Sequence, residues 1–151
     1  MAFEAALAYL HLLAILSWVV FLSSTAALAR VEWLNGAVVE RLKVVDRIAM
    51  VAGWLTLATG LARWWLGVKG LGWYAGQPLL WAKLALMAYM LAAGWQTTRQ
   101  IGVWHAAWVS GQRLPGEAEV VALRRRVMRA SHLMLVLPLL GVMLARGVGV
   151  R

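Results

Sequence analysis

The chain has 151 residues, 63% of them hydrophobic and 14% charged, with ten Trp, no Cys and a formal net charge of +9. That profile belongs to an integral membrane protein rather than a soluble domain. Without Cys, disulfides, thiolate-held haem, iron–sulfur clusters and thiolate copper sites are all excluded, so a metal would have to be held by His, Met or carboxylate.

Four apolar runs each approach the ~20 residues a helix needs to cross ~30 Å of hydrocarbon. The expected fold is an all-α integral membrane four-helix bundle in a single domain, 1–151, with helices at about 3–30, 45–68, 77–99 and 117–147. The first run, 5–29, carries no formal charge. It ends on Ala27-Leu28-Ala29, which looks like a cleavage site. The absence of a basic leading segment and the length of the run make it a retained first helix instead. A short connection of mixed charge is expected over 31–44, with Trp33 at the interface.

The second run, 48–68, is interrupted only by Arg63. Gly53, Gly60 and Gly67 recur there at seven-residue spacing, with Thr56 four residues before Gly60 at small-xxx-small spacing. Small residues on one face let a neighbouring helix come close, and the same smooth face could admit a flat cofactor. Gly67, Gly70, Gly72, Trp73 and Gly76 then predict a tight hairpin with aromatic anchors. The third run, 70–98, contains Lys83 as its only charge. Beyond it, Ile101, Val103, Trp104 and Trp108 suggest a helical extension lying on the membrane surface, and Pro115-Gly116 should turn the chain. Glu117 and Glu119 suit the first turn of helix four. Within that helix Pro138 deprives the Met134 carbonyl of its usual donor and predicts a kink.

The basic residues are unevenly placed. Arg30, Arg41, Lys43 and Arg47 flank connection one, and Arg99, Arg113, Arg124, Arg125, Arg126 and Arg129 flank connection three, whereas Arg63, Lys69, Arg146 and Arg151 lie on the opposite side. By the positive-inside rule, both termini face outward from a bacterial inner membrane. The lipid bilayer accounts for the charge, so no nucleic-acid partner is needed.

Ionisable side chains at bilayer depth mark functional sites by default. His11 lies ~12 Å into helix one at 1.5 Å per residue, on one stripe with Glu4 and Trp18. It is the candidate metal ligand or proton carrier. Lys83, Arg63 and Arg146 fall at comparable depth on the other three helices, although Arg63 and Arg146 are also placed to snorkel. Three cations around one imidazole suit a planar ligand that bears carboxylates. His132 is offset from His11 by ~9 Å along the membrane normal, which disfavours a haem held between the two, and pairing with Asp46 accounts for it equally well. His105, beside Trp104 and Trp108, reads as interfacial. Met87, Met90, Met134 and Met143 read mainly as packing, although Met with His would suit copper.

The string His11-Leu-Leu-Ala-Ile-Leu-Ser-Trp18, together with Trp81-Ala82-Lys83-Leu84, resembles the HemJ-type protoporphyrinogen oxidases. That resemblance implies haem b held by His11, with Lys83 in the site and Trp18 carried over beside them. Over nearly its whole length the chain is similar to an uncharacterised bacterial four-helix membrane family. The residues that carry this are Ala8-Tyr9-Leu10-His11, Gly60-Leu61-Ala62-Arg63, Trp81-Ala82-Lys83-Leu84, Pro138-Leu139-Leu140 and Ala145-Arg146-Gly147. A copper-resistance membrane family shares the general architecture.

The leading expectation is a membrane haem- or porphyrin-binding redox protein with its site near the outer leaflet, an oxidoreductase working with a quinone-type acceptor. Lys83 and Arg63 would be its catalytic cations, and His11, Trp18, Lys83, Arg63 and Arg146 would form the cofactor pocket. Two other classes remain open. One is an accessory subunit of a larger membrane complex or homo-oligomer, and the other is a copper-handling protein.

Overall fold

The computed structural model describes residues 2–66 and 71–148. The expectations attached to Gly67, Lys69, Gly70 and Arg151 lie outside the described residues. The fold is all-α, with four helical spans long and apolar enough to cross a membrane. They are α1 (Ala2–Leu28), α2 (Gly36–Trp65), α4 (Pro78–Gly111), and a fourth span made of α5 (Glu117–Leu133) and α6 (Val136–Ala145). A short helix, α3 (Leu71–Ala75), stands between α2 and α4, where the Gly and Trp pattern had suggested only a tight hairpin.

Local sequence sets most of the helix ends. Asn35 caps α2 by accepting a hydrogen bond from the Val38 N–H at 3.0 Å, which satisfies one of the orphan donors of a first turn. Pro78 opens α4 at a position where its missing N–H costs nothing. At the far end of α4, Gln112 turns left-handed with φ 55° and donates its N–H to the Trp108 carbonyl at 2.9 Å. The Glu119 carboxylate accepts from the Gly116 N–H at 3.0 Å and fastens the start of α5. The fourth span breaks at Met134 and Leu135, four and three residues before Pro138, as the missing donor at Pro138 requires.

Neighbouring spans run antiparallel, and contacts at small residues fix their register. Between α1 and α2, His11 faces Gly60 and Trp18 faces Gly53. Between α2 and α4, Gly53 meets Leu91, Met50 meets Gly94, and Gly36 meets Trp108. Across to the fourth span, Lys83 meets Gly141, and Arg126 donates to the Gln100 side chain at 3.1 Å. One end of the bundle therefore gathers Ala2, Trp65, Pro78 and Ala145, and the other gathers the ends joined by connections one and three. We call these the terminal end and the loop end.

Two expectations about the loop end need correction. Connection one is much shorter than 31–44, because α2 already begins at Gly36. The residues after Arg99 do not form a separate surface helix but continue α4 without interruption to Gly111. Thr97, Ile101 and Trp104 are all buried at helical spacing, so the inward stripe of α4 runs past the apolar core and meets the N-terminal half of α2. Trp108 prolongs that stripe and fills the space where a side chain on Gly36 would stand. At 1.5 Å per residue α2 spans ~45 Å and α4 ~51 Å, so both outreach ~30 Å of hydrocarbon.

The buried core joins all four spans through Trp18, Leu42, Met90, Ile101, Leu123, Val127 and Met134. Large apolar side chains such as Leu16, Val51, Trp54 and Leu139 are exposed on the outside, which in a membrane protein is the surface presented to lipid. The buried Thr25, Thr56 and Thr97 hydroxyls are satisfied within their own helices, donating to the Phe21, Ala52 and Ala93 carbonyls.

Candidate functional site

Toward the terminal end the four spans part around a cavity of about 820 Å³, inside the roughly 300–1,000 Å³ range of small-molecule sites. Its walls are mostly apolar. Leu7, Leu12 and Ile15 come from α1, Leu57 and Leu61 from α2, Leu80, Leu84 and Met87 from α4, and Leu137, Pro138 and Leu144 from α6. His11, Lys83, Arg63, Glu4, Thr56 and Tyr74 also line it. Because the break before Pro138 ends α5, the cavity wall on the fourth span belongs to α6.

His11 is 5% exposed. Its Nδ1 lies 2.8 Å from the Thr59 hydroxyl, and that hydroxyl donates its own proton to the Leu55 carbonyl at 2.6 Å. With the Thr59 proton on the Leu55 carbonyl, the matching tautomer of the neutral ring donates from Nδ1 to the Thr59 oxygen and carries its lone pair on Nε2. The imidazole lies over Gly60, with Cε1 3.2 Å from the point where a Cβ would stand. A larger residue there would push the ring out of place.

Lys83 is half-buried, and its Nζ lies 3.3 Å from the Cβ position of Gly141. Arg63 sits on the last turn of α2 and is exposed. Among the described residues no hydrogen bond or ion pair closes on Lys83, Arg63 or Glu4. The cavity thus presents an imidazole fixed by a second helix, an unpaired ammonium and a guanidinium at its rim. Chemically this can hold a group that combines an acceptor for a nitrogen lone pair with negative charge.

Three of the expected site residues come together here, namely His11, Lys83 and Arg63. Two do not. Trp18 is buried, but two helical turns deeper than His11, with its indole 3.0 Å from the Cβ position of Gly53 and no share in the cavity wall. The absence of a side chain at Gly53 gives the ring a place in the α1–α2 seam, so it packs the core. Arg146 follows the end of α6 and is exposed outside the lining. The expected His132–Asp46 pair is also absent. His132 is exposed on α5, while Asp46 is buried on α2 and its Oδ2 has no hydrogen-bond partner among the described residues. His105 is not merely interfacial, since Lys43 Nζ donates to its Nδ1 at 3.1 Å.

Thr59 is the residue that sequence reasoning missed. Its signal was available, because an antiparallel pairing of His11 with the glycine stripe places the residue before Gly60 next to the ring.

The fold and cavity define a multi-pass helical membrane protein with an interhelical pocket near one end. Residues 3–149 match DUF2214, described as a predicted membrane protein, and the chain belongs to that family. No curated protein and no solved structure matches the chain.

Proposed function

We propose that the terminal-end cavity holds a haem or porphyrin and that the protein transfers electrons between it and a quinone-type acceptor in a bacterial inner membrane. The observation that carries this reading is the His11–Thr59 bond, which turns a membrane-buried imidazole into an oriented nitrogen donor. The donor set suits a tetrapyrrole. His11 Nε2 would hold the metal, Lys83 and Arg63 would meet its carboxylates, and Gly60 and Gly141 leave the walls low beside the imidazole and the ammonium. A bound haem would supply one-electron chemistry, while the chain orients it and excludes water through Leu12, Ile15, Leu57 and Met87.

The uneven distribution of basic residues supports an orientation with the terminal end outside, which puts the cavity in the outer leaflet. Copper handling is a second reading, favoured by Met87 on the same cavity wall as His11.

Absorption spectroscopy and elemental analysis of the protein purified from membranes test the proposal. A Soret band that is lost in His11→Ala is the expected result. Stoichiometric copper without a Soret band would replace this reading with the second.

A further inference from the structure

A second cavity, of about 420 Å³, opens at the loop end between the close of α1, the turn after it and the start of α5. Arg30 and Arg124 both line it, with Trp33 and Glu32 beside them and Ala29 and Val120 as apolar wall. Arg30 follows the end of α1, where a cation complements the helix dipole. Its guanidinium carbon stands 4.6 Å from the centre of the Trp33 ring, within cation–π range. Its Nε is buried without any hydrogen-bond partner, an unusual condition for so strong a donor. Among the described residues no carboxylate pairs with either arginine.

We infer that this cavity binds the phosphate of a membrane phospholipid headgroup, gripped between the Arg30 and Arg124 guanidiniums. Two guanidiniums and the Glu32 carboxylate leave the cavity with one net positive charge, and a phosphodiester brings one negative charge. Guanidinium forks match phosphate oxygens two at a time, and both Arg30 and Arg124 line the cavity. The position suits a lipid rather than a soluble anion. The cavity lies where the spans leave the hydrocarbon, Trp33 is an exposed aromatic of the kind found at headgroup level, and Val120 and Val121 continue its wall. Basic pockets between spans are a recurrent way of holding headgroups on the side rich in Lys and Arg. This inference is independent of what occupies the terminal-end cavity.

Native mass spectrometry of the full chain in detergent, titrated with phosphatidylglycerol, tests it. The double variant Arg30→Gln/Arg124→Gln should weaken retention of the lipid by on the order of tenfold or more, since it removes two charge-assisted contacts. Arg125→Gln/Arg129→Gln removes the same charge from the exposed face of α5 and should change retention by about twofold at most. Equal losses in the two variants, or no loss in the first, overturn the site. If the double variant does not fold, Arg30→Lys serves in its place, because it keeps the charge and removes the fork. Partial loss is then expected, and unchanged retention overturns the proposal. Millimolar inorganic phosphate should leave the bound lipid in place. Its displacement of the lipid would assign the cavity to a free anion and refute the lipid.

Discussion

His11 on α1 and Thr59 on α2, 48 residues apart in sequence, share a hydrogen bond of 2.8 Å that crosses between the two helices. It engages Nδ1 of a buried imidazole that lines the terminal-end cavity, and in the tautomer that donates from Nδ1 the lone pair is left on Nε2. The chemistry proposed for the cavity depends on that division of roles.

Thr59→Val keeps the shape of the residue and removes the acceptor. The Nδ1–H then lacks the partner that oriented it, at a cost of about 1–3 kcal/mol for a buried donor left unmatched. Denaturant unfolding in micelles should show that loss, accompanied by weaker haem binding. Thr59→Ser should restore both. A valine variant that matches the parent in stability and in Soret intensity would remove the orienting role of Thr59.

His11→Ala should abolish bound haem while helix content by circular dichroism stays unchanged, because no other imidazole lines the cavity. His132→Ala should have no effect on the Soret band, since His132 is exposed on α5 and away from the lining. Full Soret intensity in both variants would show that neither residue holds a haem.

Lys83→Met separates a ligand contact from simple snorkelling. As the counter-charge of a ligand carboxylate, Lys83 accounts for about 1.5–3 kcal/mol of affinity, the range of a hydrogen bond to a charged group. Lys83→Arg should recover part of this, because charge is retained while reach and geometry change. A Lys83→Met protein that is more heat-stable and binds haem or porphyrin as before would mark the ammonium as structural.

Labelling with an impermeant thiol reagent in intact cells tests the orientation, and the native chain has no Cys to interfere. Cysteine at Gly72, at the terminal end, should react, and cysteine at Gly116, at the loop end, should be shielded. The reverse pattern would place the cavity in the inner leaflet.

Filling the Gly60 notch should act on the site through the ring above it. In Gly60→Ala the new methyl would stand 3.2 Å from His11 Cε1, closer than ordinary carbon contact, so the imidazole must tilt. Haem affinity should fall by on the order of tenfold, a cost of ~1.4 kcal/mol, with the helix content of the bundle intact. Unchanged affinity would show that the ring has slack over Gly60.

The sequence by itself determined the membrane character, the four spans, the break before Pro138, and His11, Lys83 and Arg63 as residues out of place in hydrocarbon. These follow from local properties: run length, the missing proline donor and the cost of burying an ionisable group. Only the tertiary structure decided which of the expected site residues meet. Trp18 shares a stripe of α1 with His11, yet the notch at Gly53 takes it into the core, while Gly60 holds the imidazole beside the cavity. Trp104 and Trp108 have the composition of an interfacial segment, yet the notch at Gly36 gives Trp108 a place against α2 and keeps α4 continuous. In both cases the outcome rests on the register between two helices. Helical periodicity fixes the face a residue occupies but not the residue that stands opposite it on the neighbouring helix.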